Sequence, residues 1–514
     1  VVTSVWRPFC AVAGLDVVPL MGSYDDSLDL GDVEAPVDLE VVTLDFERYR
    51  SRSAGSELLP WVLERLAELT RRSSAPVLVT NWAAPDADAF NEELARAVER
   101  LPSVAVADVA GVRRELGEEF SDSRRSELSG TSWSAVAAVA VAREFGLRWL
   151  PAVLCPPVKA VVVDLDGTLY DGVLGEDGPD GVRLTGAHAR LQEHLLALHR
   201  GGVFLGVVSR NDPADVAELF ARRADFPLRW DAVSAAAVSW GSKADGIADV
   251  ARQLRIGTDA VAFLDDNPGE LATVASSHPG VRTLHAADPE LSLRALVHCP
   301  GLFRFRTTED DARRVGDLAV ARERAAGLGA AADPDDYLRS LQVELRVRVD
   351  RPGDLPRVAQ LSARTNQFTT AMLRVSEGEL ARRRGEGSLS FVAVSLRDRL
   401  SDSGTVAAVF CAREGRRLTV EGVSISCRAL GRRIETAIVE AAVLAVAGDD
   451  VDEVAVRYAT GPRNAPAREW LATYSGAELG TEGVAVVPWD ARRVRSGSAR
   501  RPVSIIWEGR HDDG

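Results

Sequence analysis

Residues Ala160–Gly178 read AVVVDLDGTLYDGVLGEDG. Ala160, Val161, Val162 and Val163 make a short, β-branched, unbroken apolar run, the pattern of a strand buried on both faces of a parallel sheet. Asp164 and Asp166 follow at once, then Gly167 and Thr168. Carboxylates at the C-terminal end of such a strand stand where open α/β sheets bind ligands. A strand continued straight puts both on one side, where they repel unless a cation lies between them. Carboxylate oxygens beside glycine turns suit magnesium, a hard cation. Working outward, the same rhythm of apolar run and helical stretch recurs on both sides, so the expected fold class is multidomain α/β.

At 514 residues the chain exceeds one core, and ~150 residues per domain suggests about three domains. Hydrophobic content of 46% and charged content of 27% are ordinary for a globular protein. A net charge of −15 argues against a nucleic-acid partner. There is no apolar run near the ~20 residues of a membrane span, and no charged-then-apolar opening segment. The five cysteines show no CxxC spacing and the seven histidines no HExxH. Structural zinc and a disulfide framework are therefore not expected, and the expected location is the reducing cytoplasm.

Residues 1–150 alternate expected strands (15–20, 41–45, 76–80 and 103–108) with helices at 58–69, 86–100 and 132–145. Asn81 and Asp122 sit in polar loops and read as turn or cap residues. Residues 150–158 carry Pro151, Cys155, Pro156 and Pro157 and read as a linker, with Cys155 an inert thiol.

From 157 to 305 each expected strand ends in chemistry. Val203–Val208 leads into Ser209, Arg210, Asn211 and Asp212, where a hydroxyl can hydrogen-bond a phosphoryl oxygen. Trp240-Gly241-Ser242-Lys243 places an ammonium ahead of a helix, able to neutralise phosphate. Val261–Leu264 ends in Asp265, Asp266, Asn267 and Pro268, the proline placed to open a helix. Singly, each has an ordinary use: Asp164 and Asp166 can close a turn, Ser209 can cap a helix, Lys243 can be a solvated charge. Together, each after a strand, they point to one phosphoryl-transfer site.

This order resembles the haloacid-dehalogenase (HAD) superfamily, whose first motif is DxDGT. The resemblance implies a Rossmann-like domain with Asp164 as nucleophile and Asp166 as general acid/base. It implies phosphoryl binding by Ser209 and Lys243, with Arg210 and Asn211 beside them. Magnesium would be held by Asp164, Asp265 and the main-chain carbonyl of Asp166, with Asp266 as an alternative ligand. Roughly forty residues separate the first two motifs, too few for a large cap domain, so a bulky or macromolecule-borne substrate can reach the site. The longer pattern LYDGVLGEDG, SRND, WGSK and FLDDNP is narrower. It is similar to the FkbH-like family, which loads a glyceryl unit from 1,3-bisphosphoglycerate onto an acyl carrier protein in polyketide biosynthesis. Tyr170 and Asp171 stand where that family more often has Trp-Gly. The family's N-terminal domain is similar to SGNH hydrolases; residues 1–150 show no GDS or DxxH motif, so no activity is expected of them.

Residues 306–337 read as a charged helical connector, and 338–480 change rhythm. VELRVRV within 341–349 alternates as a strand with one wet face. A helix is expected at 355–362, strands at 390–396, 405–412 and 417–423, a helix at 434–447, a strand at 451–458 and a helix at 465–474. Antiparallel strands, a basic glycine turn and a helix resemble an N-acetyltransferase-like (GNAT) α+β domain, in which RxxGxG/A binds pyrophosphate at a helix N-terminus. Arg428, Gly431 and Arg432 are the candidates on that turn; Arg433 replaces its last small residue. A phosphopantetheine arm or a phosphorylated substrate is the expected ligand. Cys427 adjoins Arg428 and the positive end of a helix, both of which lower a thiol pKa. SCRxLGR also matches the FkbH-like pattern, which makes Cys427 the expected acyl-accepting thiol. Arg364, Thr365, Asn366 and Gln367 match the family's KTNQF-type segment, with Arg for Lys, and are candidate substrate contacts; Asp398 and Asp402 are weaker ones. Residues 481–514 read as a tail whose arginines offer a basic patch to an acidic carrier protein.

The expectation is a phosphatase joined to an acyl transferase. Its rivals are a plain magnesium-dependent phosphatase and a non-catalytic docking scaffold.

Overall fold

The computed structural model describes residues 5–22, 36–43, 57–306 (apart from 74, 102 and 123–132) and 313–508 (apart from 314, 319, 321–322, 325–333, 427, 431–433, 448–450, 488, 492–493 and 495–502). The chain divides into two compact units. One comprises Val1–Arg65, Leu78–Val98 and Ala105–Val315; the other comprises Leu66–Val77, Glu99–Val104 and Gly316–Gly514.

The first unit is built on a five-stranded parallel sheet of Ala160–Val163, Phe204–Ser209, Ala235–Val238, Val261–Asp265 and Arg282–His285. Numbered along the chain, the strands lie in the order 3-2-1-4-5. The chain works outward from the first strand to one edge, then returns to build the other side from the fourth. That reversal makes a crevice at the C-terminal ends of the first and fourth strands. Ala160–Val163 is fully buried, as are Phe204–Ser209 and Val261–Asp265. This is why the strands carry unbroken apolar runs rather than alternation. Val161, Val163, Leu205, Val207, Ala262 and Leu264 share one core cluster.

A smaller sheet orders Glu40–Val42, Val77–Thr80 and Val104–Ala107. Residues 15–20 form no strand, and residues 44–45 of the segment expected at 41–45 lie outside the described residues. Asn81 closes one of this sheet's loops, as expected of a turn residue, and does so with Asp108. Asn81 donates to Asp108 at 2.7 Å and accepts from the Ala110 N–H at 2.9 Å, while Asp108 caps the next helix through the Gly111 N–H. The expected linker at 150–158 is corrected: the helix Ala135–Glu144 runs on through a π turn, Phe145–Trp149, into Leu150–Leu154. The wider turn falls just before Pro151, the residue with no N–H to extend an ordinary α ladder. This helix is bolted within the first unit by buried Glu144, which pairs with His298 at 2.7 Å and with Arg148; Arg148 also lies 4.4 Å over the Phe303 ring.

The second unit holds a sheet in the order Glu482–Val487, Glu453–Ala459, Arg417–Ile425, Asp402–Glu414, Ser390–Arg397, Val343–Val349, Val503–Glu508, with Phe368–Thr369 paired to Arg417–Ile425. VELRVRV alternates in burial as a one-faced strand should. The helix Glu435–Ala447 is not apolar on one face only. Ala437 through Val443 are buried in succession, with Glu440 taken inside and hydrogen-bonded by the Tyr474 hydroxyl at 3.3 Å. The tail reading of 481–514 is also corrected, since both edge strands of this sheet come from it. Their outward residues are wet, so they alternate weakly and read as loop.

Apart from Arg306, the described residues of the connector are helical, and two of them carry buried charges within the second unit. Asp317 lies 3.3 Å from Arg428, and Arg324 lies 2.8 Å from Asp398, whose side chain is fully buried. Asp398 also accepts the N–H groups of Leu400 and Ser401. Removing one partner strands the other charge away from water. Arg324→Ala is thus expected to cost about 3–5 kcal/mol in the urea unfolding transition of the full chain; a loss below about 1 kcal/mol would place this pair in solvent.

Candidate phosphoryl-transfer site

Three loops of the site are strand ends followed by a capped helix. Asp212 caps Pro213–Arg222 through the Ala214 N–H, Ser242 caps Lys243–Gln253 through the Ala244 N–H, and Asn267 caps Pro268–Ser277 through the Gly269 and Glu270 N–H groups. Prolines at the first helical position of two of them cost no hydrogen bond. The motifs SRND-P, GSK and DNP are therefore also the code for three helix starts.

These loops bring Asp164, Lys243 and Asp265 together in the crevice. Lys243 Nζ lies 2.9 Å from Asp164 Oδ2 and 2.6 Å from Asp265 Oδ2, with all three side chains buried. The cation required near Asp164 is thus a lysine shared with the acid of the fourth strand. Asp166 does not compete for it. The strand ends at Val163, a helical turn follows with the Leu169 N–H bonded to the Leu165 carbonyl, and the Asp166 carboxylate takes neutral donors. These are the Tyr170 hydroxyl at 2.6 Å, the Leu174 N–H at 3.0 Å and the Asn211 amide at 2.9 Å. Asn211 also donates to Ser209 Oγ at 3.1 Å. The Asp265 carboxylate is fixed further by the Asn267 N–H at 2.9 Å.

Burial, and secondarily the charge of Asp265, push the Asp164 carboxyl up to about 6 against the pull of Lys243. Burial opposes the Lys243 charge, but the two carboxylates outweigh it and hold its pKa above the usual lysine range. The Lys243 shift follows from two carboxylates sharing one ammonium, and the Asp164 shift follows first from burial. Asp266, the third, is likewise pushed up, first by burial and then by Asp265.

Carboxylate oxygens of Asp164, Asp265 and Asp266 lie within 4.8 Å of one another. Gly167 makes this convergence possible: its φ is +66°, and a Cβ there would sit 2.6 Å from Asp266 Oδ2. The Thr168 hydroxyl beside it is buried with no partner among the described residues. Three hard oxygen donors with one lysine leave net negative charge, a donor set that fits a divalent cation such as Mg²⁺. The Asp166 side chain stands outside this triad.

Seven expected residues thus converge: Asp164, Asp166, Ser209, Asn211, Lys243, Asp265 and Asp266. Arg210 is drawn aside, to Glu270 at 2.9 Å and the Gly241 carbonyl at 3.4 Å. Two contributors escaped the sequence reading. Tyr170 drew notice only as a difference from a family pattern, although its spacing of four from Asp166 is that of neighbours on a helical turn. Gly167 was noted only as part of a motif.

In the second unit, Arg417–Ile425 pairs in parallel with Glu453–Ala459 only from Arg417–Glu453 to Val420–Val456. Beyond that, Phe368–Thr369 lies against Ile425 and Ser424, and the Ala459 N–H donates to the Thr370 carbonyl at 2.9 Å. Fully buried Asn464 ties the insert down through the Thr369 and Ala459 carbonyls. This sets Thr365, Asn366 and Gln367 at the end of the strand that leads into Ser426. Asn366 accepts from Arg374 at 2.7 Å, and Arg364 ends the preceding helix. Arg428 spans Asp317 and the Thr405 carbonyl at 3.4 Å. Asp398 is the buried partner of Arg324, and Asp402 closes a turn through the Gly404 N–H. Cys427, Gly431 and Arg432 lie outside the described residues.

No protein-family model matches the chain, and no curated protein sequence does. Among solved structures, the N-terminal part of BF1531 from Bacteroides fragilis, containing a phosphatase domain complexed with Mg, is similar at 23% identity and a TM-score of 0.44, over 52% of this chain and 79% of that one. The cobalt-bound deoxy-D-mannose-octulosonate 8-phosphate phosphatase YrbI of Haemophilus influenzae is similar at 18% identity and a TM-score of 0.20, over 34% and 92%. A spermidine N-acetyltransferase SpeG mutant of Vibrio cholerae is similar at 12% identity and a TM-score of 0.22, over 30% and 98%. With identities and scores this low, the chemistry rests on the side chains themselves. No helix among the described residues is long and apolar enough to cross a membrane.

Proposed function

We propose that this chain is a HAD-type phosphatase joined to a GNAT-like acyl transferase. In this reading it takes a glyceryl unit from 1,3-bisphosphoglycerate and delivers it as a thioester to an acyl carrier protein in polyketide biosynthesis. The observation that carries the phosphatase half is Lys243 bridging Asp164 and Asp265, with Asp266 alongside and Asp166 held apart on neutral donors. That separates a nucleophile from an acid/base, as phosphoryl transfer through an aspartyl-phosphate requires.

The Cys427 thiolate attacks the acyl-phosphate carbon, the C–O bond to phosphate breaks, and phosphate leaves with the electron pair. An Asp164 oxygen then attacks the remaining phosphoryl group while Asp166 gives its proton to the departing C3 oxygen. Asp166 next takes a proton from the water that opens the aspartyl-phosphate. Ser209 hydrogen-bonds the phosphoryl oxygens, Asn211 orients its hydroxyl from beside it, and Lys243 balances their charge. Asp164, Asp265, Asp266 and the Asp166 main-chain carbonyl would hold Mg²⁺, which when bound supplies Lewis-acid stabilisation of phosphoryl charge. The thioester is finally taken by the carrier's phosphopantetheine thiol. Thr365, Asn366, Gln367 and the turn of Arg428, Gly431 and Arg432 serve the acyl step, in a protein of the cytoplasm.

A second reading, a plain magnesium-dependent phosphatase, draws on Arg428, whose buried pairing with Asp317 opposes its use on a ligand. Intact mass after incubation with 1,3-bisphosphoglycerate separates the two. The bifunctional reading expects an acyl adduct on the wild type along with phosphate release. Phosphate release without an adduct sinks the transferase and keeps the phosphatase.

A further inference from the structure

We propose that Tyr170 is a positioning residue for Asp166: with the Leu174 N–H it fills Oδ1 of the carboxylate and leaves Oδ2 to carry the proton. The inference rests on the phosphatase reading above.

Tyr170 is fully buried, and its ring stacks on Phe226 with centroids 5.8 Å apart and planes 29° from parallel. Phe226 is itself clamped, by the edge of Phe220 at 6.1 Å and by the Arg223 guanidinium 4.6 Å from its centroid. The hydroxyl is therefore delivered from a fixed ring. It donates to Asp166 Oδ1 at 2.6 Å, where the Leu174 N–H also donates at 3.0 Å. A carboxylate oxygen offers two in-plane lone pairs, so Oδ1 is saturated. Oδ2 takes one donor, Asn211 at 2.9 Å, whose other amide hydrogen goes to Ser209 Oγ at 3.1 Å. The open acceptor position is thus on the oxygen linked through Asn211 to the end of the second strand, and a proton placed there is the one a leaving group can collect. Burial, then the charge of Asp166, push the Tyr170 hydroxyl far above its ordinary range, so this donor stays protonated. With phenylalanine at 170, Oδ1 has an empty position and competes for the proton.

A leaving-group comparison tests this on the full chain with Mg²⁺. An alkyl ester, 3-phosphoglycerate, needs a proton on its departing oxygen, whereas acetyl phosphate expels a stable carboxylate and does not. Tyr170→Phe is expected to lower kcat/KM on 3-phosphoglycerate by about tenfold or more, and on acetyl phosphate by less than about twofold. Tyr170→Trp, which restores a ring N–H donor on a large aromatic, is expected to recover part of the loss. Equal falls on both substrates in both variants, or no fall in either, overturn the inference while the phosphatase stands. A wild-type chain that turns over neither substrate overturns the phosphatase reading and this inference with it.

Discussion

Asparagine at position 164 is expected to abolish phosphate release while leaving the protein folded. The amide oxygen is a poor nucleophile and cannot form the mixed anhydride with phosphate, so the loss in kcat is expected to reach about four orders of magnitude. Stability should not follow activity. Burial and the neighbouring Asp265 already push the Asp164 carboxyl up to about 6, so the site holds that charge at a cost, which a neutral amide of the same shape removes. Lys243 keeps its 2.6 Å contact with Asp265 in the variant. Phosphate release measured beside thermal unfolding checks both halves. A variant that melts at the wild-type temperature or above and releases no phosphate fits. One that keeps more than about one-hundredth of the wild-type rate shows that another group is the nucleophile.

What could be read from the chain before its fold, and what could not, divides by range. Ala160–Val163 was legible because a strand covered on both faces must be apolar throughout. The loop residues were legible because each helix start needs its own cap, so Ser209–Asp212, Ser242-Lys243 and Asp265–Asn267 are marked locally. That Lys243 would lie between Asp164 and Asp265 was not, since it depends on the 3-2-1-4-5 strand order, which joins residues 79 and 22 positions away from the lysine. The pairing of Arg210 was not legible for the same reason: its partner Glu270 arrives from a helix sixty residues on.

The second unit shows the same limit in its sheet. Val343–Val349, with one buried face, alternates visibly, whereas Glu482–Val487 and Val503–Glu508 are edges whose exposed positions dilute the pattern. Each residue of Val503–Glu508 pairs with the one 160 positions earlier in Val343–Val349, and no local periodicity encodes such a partner. The insert Phe368–Thr369, just past the candidate contacts Arg364–Gln367, carries no strand signal of its own. Its two paired residues are strand only because Arg417–Ile425 and Glu453–Ala459 part beside it, leaving main-chain groups that something must satisfy.

Cys427→Ala is expected to remove the acyl adduct completely, and the other cysteines sharpen that expectation. Thioester formation needs a thiolate, which a thiol held far above its usual pKa supplies poorly. Burial pushes the thiols of Cys299 and Cys411 up to about 12. Burial also raises Cys10 and Cys155, the latter despite the nearby Arg282 charge. Cys299 and Cys411 are therefore not ready nucleophiles near neutral pH. Cys427 adjoins Arg428 and follows the strand Arg417–Ile425, whose end is paired with the Phe368–Thr369 segment that carries Asn366 and Gln367 beside it. The test is intact mass after incubation with 1,3-bisphosphoglycerate, for the wild type and for alanine variants at each of the five positions. Loss of the hydroxylamine-labile adduct in Cys427→Ala alone, with the other four at the wild-type level, fits the proposal. An adduct that persists in Cys427→Ala and disappears in another variant moves the acyl chemistry to that other thiol.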